Sequence, residues 1–349
     1  MDLPAKKRRP GRFKVLSSGE AHGWHDEGPV KGPGFVVGRA TNLGRPTWSE
    51  EDYWPLNTTL YAKNFHGNDP KFAYFWFLGT DLSAFNSGSV QPMLNRNYIA
   101  NVPIDVPPVP EQQAIAATLG ALDDKIESNG RAIGLIDELV RTRFNRDFSV
   151  EQSLDGTPLS SLLSINANRK LHRGAEATYV GMSALPEFSP EVLDWQTRAF
   201  GSGQKFINGD VLMARITPCL ENGKTAVVDM LEDGEVGWGS TEYVVMSPSG
   251  EYSTPWIYAL VRNDTVRDWA IRRMTGSSGR QRFQAVGFDE YRIETPAAEV
   301  LGAFNAFAMP LFERMTVLRD ESRRLAALRN ALLPELLSGR LRVSALHLA

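Results

Sequence analysis

Pro107-Pro108-Val109-Pro110-Glu111-Gln112-Gln113-Ala114-Ile115-Ala116 opens a long stretch in which apolar residues recur at Ile115, Leu119, Leu122, Ile126, Ile133, Ile136 and Val140, with Asn129 on the same line. Alternating steps of four and three are the apolar stripe of a helix laid along another helix. The prolines precede the stripe, where their rings do not obstruct a helix. A second such stretch follows Pro296, which lies 189 residues beyond Pro107. At that offset the first seven stripe positions, Asn129 included, fall on Phe304, Ala308, Leu311, Met315, Leu318, Ser322 and Leu325, and five of these are large and apolar. The same offset carries Gly88-Ser89 onto Ser277-Ser278, Leu94 onto Phe283 and Ile104-Asp105-Val106-Pro107 onto Ile293-Glu294-Thr295-Pro296. The chain therefore reads as an internal duplication.

Outward from the helices, each half carries the same mixture of elements. Phe35-Val36-Val37, Thr59-Leu60-Tyr61, Asp210-Val211-Leu212-Met213 and Glu242-Tyr243-Val244-Val245-Met246 read as short strands, and Phe72 to Leu78 and Pro255 to Arg262 as short helices. The expected fold class is α/β (α+β): two globular domains separated by two long antiparallel coiled-coil helices, with a pseudo-twofold internal repeat. The expected order is a domain over 1–108, a helix over 109–147, a domain over 148–297 and a helix over 298–340. Pro334 and Gly339 mark the end of the last helix.

Composition narrows the class. Hydrophobic residues make up 42% and charged residues 23%, enough for a packed core in each half. The single cysteine, Cys219, cannot close an internal disulfide and fits a reducing, cytoplasmic setting. Met1-Asp2-Leu3-Pro4 and the basic Lys6-Lys7-Arg8-Arg9 lack the apolar run of a secretory signal, and no stretch is long and apolar enough to span a membrane. The net charge of −3 conceals an uneven distribution: Lys6, Lys7, Arg8, Arg9, Arg12, Lys14, Lys31, Arg39 and Arg45 crowd the start, while Asp123-Asp124 and Glu127 fall in the helix.

Motifs for catalysis are missing. Asp105-Val106-Pro107-Pro108 is not the Asn/Asp-Pro-Pro-aromatic string of an amino-methyltransferase, and there is no Gly-x-x-x-x-Gly-Lys-Ser/Thr phosphate loop. Asp123-Asp124-Lys125 reads as a solvated helix face rather than a nuclease site. His22, His25 and Asp26 sit near glycines without further ligands, so no metal site is expected, and no catalytic residue is assigned. Cys219 reads as a small packing residue without an evident base.

The whole chain resembles the specificity subunits of Type I restriction–modification systems. The likeness is carried by the proline-rich run at 107–116 leading into Leu119 and Leu122-Asp123-Asp124-Lys125-Ile126, by Asp52-Tyr53-Trp54-Pro55-Leu56-Asn57-Thr58-Thr59-Leu60-Tyr61, and by Asp210-Val211-Leu212-Met213-Ala214-Arg215. Gly239-Ser240-Thr241-Glu242-Tyr243, Gly276-Ser277-Ser278-Gly279-Arg280-Gln281-Arg282 and the ending Leu332-Leu333-Pro334-Glu335-Leu336-Leu337-Ser338-Gly339-Arg340-Leu341 add to it. Family members usually begin with an extra strand and turn ahead of the first domain, whereas this sequence opens directly at its basic segment.

The resemblance implies a non-catalytic subunit whose two target-recognition domains read a bipartite site on double-stranded DNA. It implies methylase subunits and a restriction/translocase subunit as partners, with S-adenosylmethionine, ATP and Mg on those partners, none on this chain, and no membrane. A helix of about 30 residues rises about 45 Å, against about 34–36 Å for a DNA turn, so half-sites one turn apart are plausible. Base reading is expected from Gln91, Asn95 and Arg96 in the first domain and Arg280, Gln281 and Arg282 in the second, and backbone contacts from Arg8, Arg9 and Lys14, with Lys205, Arg215 and Lys224 as further candidates. Ile115, Leu119, Leu122, Ile126, Ile133, Ile136, Leu311, Met315, Leu318 and Leu325 are expected to pack helix on helix. Two other classes stand beside this one: a stand-alone restriction endonuclease or modification enzyme, and a scaffold that does not touch DNA.

Overall fold

A computed structural model describes residues 1–18, 21–40, 42–85, 93–277 and 279–343. The chain divides into two compact units, Met1–Glu127 with Glu321–Ala349, and Ser128–Asp320. The long helices are therefore not modules apart from the globular domains, since each gives one half to each unit.

In the first unit, β1 (Phe13–Leu16) pairs antiparallel with β2 (Ala21–His25). A second sheet is built on β3 (Gly34–Gly38), which pairs antiparallel with β4 (Pro46–Ser49). Next, β5 (Tyr53–Pro55) pairs parallel with β1, and β6 (Thr59–Tyr61) pairs antiparallel with β3. Because side chains alternate across a strand, β3 sends Val36 toward Leu16 and Tyr53, and Phe35 and Val37 toward Leu82 and Leu94. Helix α1 (Pro70–Gly79) starts where Asp69 accepts hydrogen bonds from the N–H groups of Lys71 and Phe72, with Pro70 at its first position. A short α2 (Arg96–Ile99) precedes α3 (Val109–Asp147).

Gln112, from the motif that opens α3, is 1% exposed. Its amide nitrogen donates to Asn68 Oδ1 and to the Pro107 carbonyl, both at 2.9 Å, and its oxygen accepts from Asp69 N–H at 2.9 Å. A buried amide so matched offsets its own desolvation and ties the start of α3 to the loop that caps α1.

The second domain repeats this plan with additions. It opens with β7 (Thr157–Pro158), α4 (Leu159–Leu162) and β8 (Ser164–Ile165). Strands β9 (Glu176–Val180) and β10 (Gln196–Ala199) pair antiparallel as β1 and β2 do, and β11 (Gln204–Phe206) follows. Then β12 (Val211–Ala214) and β13 (Thr225–Val227) form the counterpart of the β3–β4 hairpin. Strand β14 (Gly237–Gly239) pairs parallel with β9, and β15 (Tyr243–Ser247) antiparallel with β12. The correspondence thus runs through six strands with their senses preserved. Beyond it, β11 adds an edge to β14 and β8 an edge to β15. Helix α5 (Thr254–Arg262) matches α1, and α6 (Asp264–Arg272) and β16 (Arg292–Ile293) lead to α7 (Ala298–Leu337).

Within each unit the helical segments run antiparallel. In the first, Ile115 and Leu119 cluster with Leu333 and Leu336 over Phe72 and Phe75. Asp123 and Lys125, read as part of a solvated face, instead pair across the helices, with Arg329 at 2.6 Å and Glu321 at 3.2 Å. Gly79 closes α1 against the second helix: a Cβ there would lie 2.8 Å from Leu337 Cδ1. In the second unit Ile133, Val140, Met315 and Leu318 are buried, and Asn129 donates to the Leu318 carbonyl at 3.3 Å. Leu122, Ile126, Ile136, Leu311 and Leu325 are half-buried; beside Leu311, Phe312 takes the buried position against Tyr258.

Phe144 is fully buried between Phe304 and Trp256, at ring-centroid distances of 5.9 and 5.8 Å. Phe144→Ala should lower the unfolding free energy of the second unit by about 3–5 kcal/mol, the range for deleting a core aromatic ring. Urea titration followed by tryptophan fluorescence measures it.

Candidate nucleic-acid interface

Three arginines of the second domain, Arg215, Arg280 and Arg282, lie near the end of β12. Arg215 leaves the strand, its carbonyl accepts from Phe283 N–H at 2.8 Å, and Phe283 is buried against Trp269 and Phe288. Thr275 and Arg282 exchange backbone hydrogen bonds at 3.0 and 2.9 Å, which closes the residues between them into a loop. Gly276 and Gly279 take φ of +125° and +76° there, conformations that suit glycine. Arg280 is exposed on that loop, while Gln281 is half-buried and its carbonyl accepts from Thr217 N–H.

Glu242 sits between two arginines. Arg282 Nε lies 2.9 and 3.0 Å from its two carboxylate oxygens, and Arg215 Nε lies 3.3 Å from one of them. Arg215 also donates to Gln284 at 3.3 Å. One carboxylate between two guanidiniums leaves the group net positive and holds both side chains in place, and Arg280 adds a further charge at the loop tip. On the other sheet, exposed Arg198 lies over Tyr179 and Trp238, at 5.0 and 5.8 Å from the ring centroids.

Other candidates spend their donors inside the protein. Lys224 Nζ donates to the carbonyls of Leu185 at 2.8 Å and Met182 at 3.3 Å. Lys205 Nζ donates to the Arg169 carbonyl at 2.7 Å and lies 5.1 Å from the centre of the Phe200 ring. Arg169 in turn reaches Asp210 and Ser247, both at 2.9 Å. Burial raises the Asp210 carboxyl above its ordinary pKa, against the pull of Ser247, Ile207 N–H and Arg169.

The first domain has a sparser version of the same site. Leu94 N–H donates to the Arg39 carbonyl at 2.7 Å, as Phe283 does to Arg215, so Arg39 is the structural counterpart of Arg215. Arg39 is exposed, and its guanidinium is 3.9 Å from Met93 Sδ. In sequence it counts only among the basic residues near the chain start and not among the expected DNA contacts, although Val37-Gly38-Arg39 and Met213-Ala214-Arg215 share a strand, a small residue and an arginine. Arg96 is exposed at the start of α2, and Asn95 caps that helix by accepting from Asn97 N–H at 3.0 Å. Gln91 and the rest of 86–92 lie outside the described residues, as does Ser278.

Near the chain start, Arg9 pairs with Asp26 at 2.6 Å and Glu27 at 2.7 Å, and the Arg9 hydrogen bond holds the Asp26 carboxyl below its usual pKa. Arg8 donates to the His22 carbonyl. Lys14 is half-buried beside Trp24, which is 54% exposed. His25 is buried and accepts from Arg9 N–H through Nδ1 at 2.9 Å. Among the described residues no group of three or more His, Cys, Asp or Glu side chains is arranged to hold a metal, and no helix is long and apolar enough to cross a membrane. Burial raises the Cys219 thiol pKa.

Comparison with known proteins agrees with this architecture. Residues 30–136 match the family described as the Type I restriction modification DNA specificity domain. The chain is 28% identical over 170 residues to the Type I restriction enzyme EcoEI specificity subunit of Escherichia coli, a match covering 46% of this chain and 28% of that protein. It is 33% identical over 92 residues to the EcoAI specificity subunit of the same organism, covering 26% of this chain and 15% of that one. The matched region thus spans less than a third of either curated relative. The fold is similar to that of the S subunit of a Type I restriction–modification system from M. genitalium, with a TM-score of 0.59 and 15% identity, over 96% of this chain and 91% of that one.

Lys224 and Arg280 should behave oppositely in unfolding experiments. Lys224→Met strips the donor from two carbonyls and should cost about 1–3 kcal/mol. Arg280→Ala, at an exposed loop tip, should stay within about 0.5 kcal/mol of the parent. Chemical denaturation of the two variants side by side checks both.

Proposed function

We propose, from the premise that this chain carries a Type I restriction–modification DNA specificity domain, that it is the sequence-reading subunit of such a complex, working in the cytoplasm. The observation that supports this best is the duplicated hairpin-and-loop site. Arg39 in one copy and Arg215 in the other occupy the same backbone position, amid side chains that otherwise differ. Two like frames with unlike surfaces suit a reader of two different half-sites in double-stranded DNA.

In this reading Arg280, Arg282 and Arg215 contact DNA from the second domain, and Arg39 and Arg96 from the first. Arginine suits both phosphates and the acceptor edge of guanine. The α3–α7 pair also serves as the mount for methylase subunits, which would carry S-adenosylmethionine, and a restriction/translocase subunit would carry ATP and Mg. This chain's own part is recognition, without a catalytic step.

Cells expressing this chain with its methylase should carry methylated bases in a motif of two short parts separated by unspecified bases, and loss of this chain should erase it. Single-molecule sequencing of modified bases reads the outcome. A continuous motif, or one that survives deletion, overturns the proposal. With the purified complex, Arg280→Ala should lower the slope of log affinity against log salt by about 1 if the contact is to phosphate, or relax one base position at a cost of about 1–3 kcal/mol if it is to a base.

A further inference from the structure

Residues 181–195 separate β9 from β10, where only 17–20 separate β1 from β2, so the second domain inserts an arm at a place where the first has a short connection. The arm folds back on the β12–β13 hairpin. Val227 N–H donates to the Pro190 carbonyl at 2.8 Å, Lys224 Nζ to the carbonyls of Met182 and Leu185, and Asn222 Nδ2 to Glu187 Oε1 at 2.6 Å. Ala184 and Leu185 anchor it, buried in one cluster with Val192, Phe206 and Val228. Phe188, in a turn of this arm, is 49% exposed.

The Phe188 backbone stands at a φ of +52°, a left-handed conformation that a bulky residue rarely takes. Its surroundings hold it there. Gly223 lies so close to the ring that a Cβ on it would be 2.5 Å from Phe188 Cε1. The guanidiniums of Arg262 and Arg267 lie 5.4 and 5.3 Å from the ring centroid. Arg262 is 3% exposed and donates to the Tyr258 hydroxyl at 2.6 Å, and Arg267 pairs with Asp264 at 2.9 Å. Strain of this kind persists only where neighbours enforce it, and it gathers at functional sites. The place of the ring is also informative. Gly223 directly precedes Lys224, whose carbonyl accepts from Ala214 N–H at 3.0 Å, and Ala214 directly precedes Arg215. Phe188 therefore stands by the β12 exit, the end marked by Arg215, Arg280 and Arg282.

We propose that Phe188 is an apolar wedge for double-stranded DNA: its ring enters between two base pairs beside the half-site of the second domain and partly unstacks them. This role rests on the reading of the chain as a DNA-binding subunit and adds to it a deformation of the duplex. A ring that only covered Arg262 would need neither solvent exposure nor a left-handed backbone. A polyanion suits a ring flanked by two guanidiniums, the more so as Glu187 and Asp264 are matched by Asn222 and Arg267. Inserted apolar side chains kink a duplex, and some base steps yield more easily than others. The arm thus gives the second domain a sequence preference at a step whose base edges no side chain need touch.

The test uses the complex of this chain with its methylase, bound to a duplex bearing the motif found by modified-base sequencing. 2-Aminopurine is placed in turn at each position of the motif and its flanks, the methylated bases excepted. Its fluorescence should rise several-fold at one step, the sign of unstacking. Phe188→Ala should abolish that rise and weaken binding several-fold, with the slope of log affinity against log salt unchanged because no phosphate contact is lost. Phe188→Leu should keep part of the rise. Leu193→Ala, which trims another exposed apolar residue of the same arm, should leave rise and affinity as they are. Absence of a rise at every step in a complex that binds its motif overturns the wedge, and so does a rise that persists in Phe188→Ala. Loss of methylase association in Phe188→Ala, with the circular dichroism spectrum unchanged, would assign the ring to a subunit contact and overturn it as well. A complex that binds no DNA at all would overturn the proposed function itself, and the wedge with it.

Discussion

The packing of α3 against α7 is the constraint on which both domains depend. Neither domain buries its core with its own residues alone. In the first, Phe72 and Phe75 need Ile115 and Leu119 from one helix and Leu333 and Leu336 from the other. In the second, Trp256 needs Phe144 and Phe304. Each such side chain contributes about 1.5–3 kcal/mol when buried, so losing either helix segment removes much of what holds a domain of this size together. The first unit joins the two ends of the chain, Met1–Glu127 and Glu321–Ala349. Closing contacts so far apart in sequence is entropically slow, whereas the second unit is continuous in sequence.

Apolar stripes alone allow helices to slide by a turn, and polar groups along the seam oppose this. Asn129 sits in the stripe, 1% exposed, and donates to the Leu318 carbonyl. A one-turn slip would carry that amide away from its acceptor into apolar surroundings, where an unmatched polar group is costly. Arg319, also buried, pairs with Asp229, and Thr316 donates to the same carboxylate at 2.7 Å. That contact ties α7 to the strand-rich part of the second domain. The seam thus trades some stability for register, as a polar residue does at a core position of a coiled coil.

The duplication was legible in sequence because helix stripes and strand exits keep strict spacing. Leu94 and Phe283, matched by offset alone, make the same backbone bond to Arg39 and Arg215. The equivalence of Arg39 and Arg215 themselves was not legible, because the loops after the strands differ in length and break the 189-residue offset. Gln112 could not be placed either: nothing in Pro-Glu-Gln-Gln says which glutamine turns inward to cap a neighbouring loop. The roles of the lysines were hidden for a related reason. Lys224 serves carbonyls distant in sequence, at Met182 and Leu185, and only the folded chain brings them to it.

Net charge says little about such a molecule, because the effective charge of a surface depends on which cations are already matched. Arg9 is offset by two carboxylates and Arg340 by Glu335. Lys205 and Lys224 are directed at backbone carbonyls. Around the β12 exit the balance reverses, with Arg215 and Arg282 sharing the single carboxylate of Glu242 and Arg280 exposed nearby. That carboxylate limits the mobility of two guanidiniums without neutralising the group. Arginines held by a shared anion forfeit less side-chain entropy on meeting a partner than free ones would. The arrangement exchanges some positive potential for fixed geometry, and fixed geometry is what reading base edges requires of a side chain, more than attraction to phosphate does.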